Sequence, residues 1–170
     1  MAADASPILL DNCAISACFV AGAWKALVRR YTLETVEEVA SEAATGSQNR
    51  EIIDPAEFRQ QVVVHNVTRA ERLAQEIGHD GLSALDDGER DLWVHALGRT
   101  DGWILCGPDT ASIRFGVRAG YANRLISLEK LLKGAGFTPK GKLAPHQTEA
   151  WLQSKIGEFS LELAFEQIKE

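Results

Sequence analysis

Two short apolar runs, each leading into an aspartate, constrain this chain more than any other feature. Ile8, Leu9 and Leu10 run straight into Asp11, and residues 103–106 run through Gly107 and Pro108 into Asp109. Apolar runs without alternation suit strands covered on both faces, as in a parallel sheet, although runs this short also fit buried helix segments. Helical patterns follow both. Strands alternating with helices imply an α/β fold, a three-layer α/β/α arrangement around a central parallel sheet with right-handed crossovers. Both aspartates then lie along the carboxyl edge of that sheet, where ligands of open α/β sheets bind. Taken singly, each reads equally well as a helix cap.

At 170 residues the chain suits one domain with a sizeable core. No apolar run approaches the roughly 20 residues that span a bilayer. The longest, residues 14–27, is broken by Ser16, Gly22 and Lys25, and no basic segment precedes it. The expectation is a cytoplasmic protein with no membrane association. Cys13, Cys18 and Cys106 are odd in number and lack zinc-site spacing, so they read as reduced core residues. His65, His79, His95 and His146 show no metal spacing either and read as surface or core.

The net charge of −6 is unevenly distributed. Between residues 111 and 145 stand Arg114, Arg118, Arg124, Lys130, Lys133, Lys140 and Lys142 against Glu129 alone. A basic segment on an acidic body fits a local phosphate-binding face, a solvated surface or an acidic partner, and composition does not choose.

Along the chain, Ile15, Phe19, Val20, Ala23 and Leu27 mark one apolar helix face that ends near Arg29 and Arg30. Residues 31–36 are β-prone and lead into a helix from Glu37, closed by Gly46, with a loop over residues 46–50. Glu38 and Glu42 share a face of that helix. Asp54 and Pro55 start a short helix, Val62, Val63 and Val64 suggest a buried strand, and Thr68 with Glu71 forms a capping box. Asp86 or Asp87 reads as the cap of a helix carrying Glu89 in its first turn, with Trp93, Ala96 and Leu97 buried. Asp109 heads another helix through residue 118. Residues 124–127 suggest a brief strand, and Ser127 caps a helix to Lys133. Residues 138–145 form a Pro-, Gly- and Lys-rich loop, and a last amphipathic helix from Thr148 carries Trp151, Leu152, Ile156, Phe159, Leu163 and Phe165.

Asp11, Glu38 or Glu42, Glu89 and Asp109 form a dispersed set of acids. Carboxylates gathered without a cation repel and raise one another's pKa, so such a set calls for a divalent ion. All-oxygen sites suit Mg²⁺ or Mn²⁺, and the natural chemistry is phosphodiester hydrolysis.

On these pieces the chain resembles the PIN-domain nucleases. The likeness rests on residues 8–12, on residues 36–42, on Leu85-Asp86-Asp87-Gly88-Glu89 with Ala96-Leu97 following, and on residues 104–109 followed by a helix ending at Gly120. It covers residues 7–137 and is nearest to the subgroup with a Gly-Glu pair in its third motif. Carried over, the family's acidic quartet falls on Asp11, Glu42, Glu89 and Asp109, with Glu38 as the alternative to Glu42. Cys13 stands where Ser or Thr is frequent, and Pro108 before Asp109 is a further departure. The resemblance implies a PIN-like domain over residues 1–145 and a helical extension, residues 146–170, packed on it. It further implies a metal-dependent endoribonuclease (a hydrolase) acting on single-stranded RNA. Arg114 and Arg118 would meet the RNA backbone. Many small members are toxins of toxin-antitoxin systems, dimeric and held by an antitoxin protein; here that role, a homodimer and an antitoxin partner are expectations. The alternative is a catalytically silent PIN-like scaffold that binds RNA or protein. An aspartate-nucleophile phosphatase lacks a second Asp two residues after Asp11, and neither a Walker loop nor a Gly-x-Ser-x-Gly elbow is present.

Overall fold

The computed structural model describes residues 6–45 and 53–169, so the expected loop over residues 46–50 lies outside the described residues. Four parallel strands make one sheet in the order β3-β2-β1-β4: β1 (Ile8–Leu10), β2 (Leu33–Val36), β3 (Val63–His65) and β4 (Ile104–Cys106). Helices flank it as the three-layer α/β/α reading expects. β1 is the central strand, paired Ile8 to Leu33 on one side and Ile8 to Ile104 and Leu10 to Cys106 on the other. Its three residues are buried, as the unbroken Ile-Leu-Leu run requires.

The chain moves outward from β1 through β2 to β3, then returns to place β4 on the other side of β1. The strand order therefore reverses between β1 and β4, which opens a crevice at their carboxyl ends. Asp11 follows β1 and Asp109 follows β4, and the Asp11 N–H donates to the Cys106 carbonyl at 3.2 Å. Both aspartates lie at that crevice.

The helices obey their local signals. α4 (Pro55–Gln61) starts at the Asp54 cap, α5 (Arg69–Gly78) at the Thr68–Glu71 capping box, and α8 (Leu128–Gly134) at Ser127. α3 (Glu37–Thr45) leaves β2 directly. α6 (Asp87–Leu97) packs on β2 and between α3 and α5. α7 (Thr110–Arg118) begins at Asp109. α9 (Glu149–Ile168) lies along α7, where Leu152 and Phe159 join Ile113 and Val117 in a small cluster apart from the main core. Among the described residues, no helix is long and apolar enough to cross a membrane.

Several expectations change. The single helix expected through Leu27 is two, α1 (Asn12–Val20) and α2 (Trp24–Arg30). Gly22 stands between them at φ +68°, its N–H donating to the Phe19 carbonyl and that of Ala23 to Cys18, the paired bonds of a left-handed helix end. Val20, expected in the core, is 77% exposed, and Cys13 is only half-buried. β3 is an edge strand with Val63 exposed rather than a buried one. The strand expected over residues 124–127 shrinks to one bridge between Leu105 and Leu125, because residues 122–124 wind into a 3₁₀ turn and Ser127 turns away to cap α8. Phe165 on α9 is exposed.

Candidate active site

At the β1/β4 crevice, a cavity of about 570 Å³ is lined by Asp11, Glu42, Asp86, Glu89 and Asp109, together with Asn12, Cys13, Val39, Asp87 and Gly88. The four acids named from the sequence meet there from four separate elements. Among the described residues no lysine or arginine lines it.

Each carboxylate is positioned by its own backbone. Asp11 is 5% exposed, and its Oδ1 accepts from the Ala14 N–H at 2.7 Å, so it caps α1 and faces the crevice together. Asp109 does the same for α7, its Oδ1 accepting from Ala111 at 2.7 Å and Ser112 at 3.3 Å. Capping and site formation are thus one geometry here. Glu42 is held from α1, where Asn12 Nδ2 donates to its Oε2 at 3.2 Å. Glu38, one turn earlier, does not line the cavity, and its charge acts on Arg72 instead. Of the two, Glu42 is the one that lines the cavity.

Two glycines let these groups approach. A Cβ on Gly88 would stand 3.2 Å from Val39 Cγ2 and 3.4 Å from Glu42 Oε1, and one on Gly107 would stand 3.1 Å from Asp11 Oδ2. Gly88 therefore brings the start of α6 against α3, which gives the Gly-Glu pair its physical sense. α6 is in turn locked to α7: Trp93 Nε1 donates to Ser112 Oγ at 2.8 Å, and its ring lies against Gly116, where a Cβ would come within 2.8 Å. Trp93 is one turn beyond Glu89 and Ser112 one turn beyond Asp109, so this contact sets the distance between the two acids.

The electrostatics are those of crowded anions. Burial, then the charges of Asp109, Asp11 and Asp86, push the Glu89 carboxyl up to about 8, with the approach of the Asp109 carboxyl adding to the rise. Asn12, 7% exposed, has its Oδ1 buried with no hydrogen-bond partner. An orphan acceptor beside a set of carboxylate oxygens fits a hard divalent cation such as Mg²⁺ or Mn²⁺. The residues that would hold it are Asp11, Glu42, Glu89 and Asp109.

Asp86 and Asp87 were expected to act as caps. Asp86 occupies the cap position of α6, but its side chain makes no capping hydrogen bond and it lines the cavity. Asp87 is paired with Arg90 at 2.6 Å.

Arg114 and Arg118 do not reach this cavity. Arg114 pairs with Glu162 at 3.3 Å and lies over the Phe159 ring, and Arg118 pairs with Glu166 at 2.5 Å. Both tie α7 to α9.

A second cluster had no sequence signal. Glu34 on β2, His65 on β3 and His95 on α6 bring ligand atoms within 4.8 Å of one another. His65 Nε2 donates to Glu34 at 2.7 Å, and the two imidazoles stack at 4.0 Å. Two of the four histidines read as surface or core without metal spacing, His65 and His95, thus share one cluster with Glu34. A cation's place is already filled, however: the Arg99 guanidinium bonds Glu34, donates to His95 Nε2 at 3.0 Å and is anchored by Asp101. Burial raises the Glu34 pKa, but the approach of His95, hydrogen bonds from Arg99 and His65, and the Arg99 charge bring it down to about 2. The network ties α6 to β2 and β3.

Comparison of the chain with protein-family models, with curated proteins and with solved structures finds no match.

Proposed function

We propose that this protein is a metal-dependent endoribonuclease that hydrolyses phosphodiester bonds of single-stranded RNA at the Asp11–Glu42–Glu89–Asp109 cavity. The observation that carries this reading is six acids around one cavity, with the buried Asn12 Oδ1 unpartnered among them and no basic side chain lining it within the described residues. A bound Mg²⁺ or Mn²⁺ supplies Lewis-acid stabilisation of phosphate charge and an acidified water. Asp11 and Asp109, fixed by their helix caps, would hold the ion. Glu42 completes the donor set, oriented by Asn12. Glu89, its carboxyl raised by burial and by its anionic neighbours, would lose its proton as a cation bound, so that binding would release a proton.

The test is cleavage of a labelled single-stranded RNA with Mg²⁺ or Mn²⁺, with EDTA, and with Asp11→Asn and Asp109→Asn variants. Metal-dependent cutting lost in both variants supports the reading. No cutting over varied RNAs, together with no metal bound in calorimetry, overturns it in favour of a silent PIN-like scaffold. A toxin role with a homodimer or an antitoxin partner belongs to the same proposal. It is supported by Leu161, Phe165 and Ile168, which are exposed at helical spacing on α9.

A further inference from the structure

The acid cavity does not end at Cys13. That residue also lines a larger cavity of about 760 Å³, bounded on one side by α1 and on the other by residues 137–147. Cys13, Ser16 and Val20 recur at helical spacing and make the α1 wall, so the two cavities follow one another along a single helix face. From Cys13 to Val20 that face runs about 10 Å at 1.5 Å per residue.

The far wall is chemically unlike the acid cavity. Lys140 and Lys142 line it, both are exposed, and neither forms an ion pair with any described residue. The arginines of α7, by contrast, are neutralised by α9. At the base lies Gln147, 3% exposed, held by its backbone N–H on the Ala144 carbonyl at 2.9 Å, with its Oε1 buried and unpartnered. An unpaired acceptor in a fixed turn costs stability unless a donor reaches it.

We propose that this groove seats the RNA strand flanking the bond to be cut. Lys140 and Lys142 take phosphates, and the Gln147 amide oxygen accepts a hydrogen bond from a ribose 2′-hydroxyl. The charge pattern carries the assignment. A polyanion bound at the acid cavity is repelled by its six carboxylates, and among the described residues lining the adjoining groove the lysines are Lys140 and Lys142, both without an ion-pair partner. A 2′-hydroxyl is both a donor and the group that separates RNA from DNA. The inference deepens the nuclease reading, rests on it for the choice of ligand, and names the strand path.

The experiment is fluorescence anisotropy of the full chain with a labelled 12-nucleotide single-stranded RNA, and with DNA of the same sequence, in EDTA at several KCl concentrations. The Lys140→Ala/Lys142→Ala variant should bind RNA at least tenfold more weakly at low salt, and its log Kd against log salt should be shallower by about 1.4, since each single-strand phosphate contact contributes about 0.7. A charge-matched Arg69→Ala/Lys169→Ala variant should stay within twofold of the parent. Gln147→Leu should lose the preference for RNA over DNA while its thermal midpoint in EDTA holds or rises, because the unpaired buried acceptor is removed, and that midpoint separates the loss from misfolding. Unchanged affinity and slope in the lysine variant, or no RNA binding at all, overturns the groove. Cutting by the parent that survives the lysine substitutions overturns the groove alone. Lysine-dependent binding without metal-dependent cutting overturns the nuclease reading and leaves the groove standing.

Discussion

Asn12 donates to Glu42 across 3.2 Å, joining the first turn of α1 to the last turn of α3 over the mouth of the acid cavity. Its other amide atom, Oδ1, is buried without a partner on the same side chain. One residue thus orients a carboxylate and presents an acceptor.

Asn12→Ala should therefore weaken Mn²⁺ binding by about 10–100-fold, the usual range for a group that orients a ligand. Calorimetric titration checks this. Its thermal midpoint in EDTA should move little, because an unpaired buried acceptor leaves with the amide.

Gly88→Ala places a methyl 3.2 Å from Val39 and 3.4 Å from Glu42. Val39, on the same helix as Glu42, must give by a few tenths of an ångström and shift that wall of the cavity. RNA cutting should fall at least tenfold, with a stability cost of about 1 kcal/mol, which a paired cleavage and urea-unfolding measurement resolves.

Without metal, the protein should lose stability as pH rises. Glu89 has a folded pKa of about 8 against an ordinary 4.5, so the native state holds a proton that the unfolded chain releases between those values. Its contribution is complete below pH 4.5 and lost as pH climbs to about 8. Urea unfolding in EDTA should show that decline, and Glu89→Gln should flatten it, stabilising the metal-free protein at pH 8 by on the order of 2 kcal/mol. Mg²⁺ should reverse the order of the two proteins at pH 8.

Glu34 runs the other way. Its pKa is depressed to about 2, so its contribution is present above pH 4.5 and lost as pH falls toward 2. That contribution is about 3 kcal/mol. Arg99→Leu leaves the buried Glu34 charge without its guanidinium and should cost about 3–5 kcal/mol at pH 7, measured by denaturant midpoint.

Arg114→Ala should loosen α9 from α7, not weaken RNA binding. The ion pair with Glu162 is exposed and contributes little, but the guanidinium also covers the buried Phe159 ring at 4.5 Å. A loss of about 1 kcal/mol, with faster proteolysis of residues 149–168, is the expected result.

What the sequence by itself determined was local. The caps at Asp54, Thr68, Asp109 and Ser127, the buried run of β1 and the acids behind β1 and β4 were all legible, because caps and strand burial are decided by residues within about four positions. Gly22 was legible too as a break, yet the apolar spacing around it suggested one helix. The tertiary structure alone decided the rest. Of the two glutamates on one face of α3, Glu42 is the one that lies beside Asn12 of α1 and Gly88 of α6 and lines the cavity, and Asp86 lines it without forming the capping bond its position suggests. Glu34, His65, His95 and Arg99 come together across 31 to 65 positions through strand pairing and one helix crossing, which no spacing rule encodes. The basic segment was visible as charge, but which of its members remain available was not. α9 neutralises Arg114 and Arg118 and leaves Lys140 and Lys142 open, since ion pairing depends on where a helix 48 residues away comes to rest.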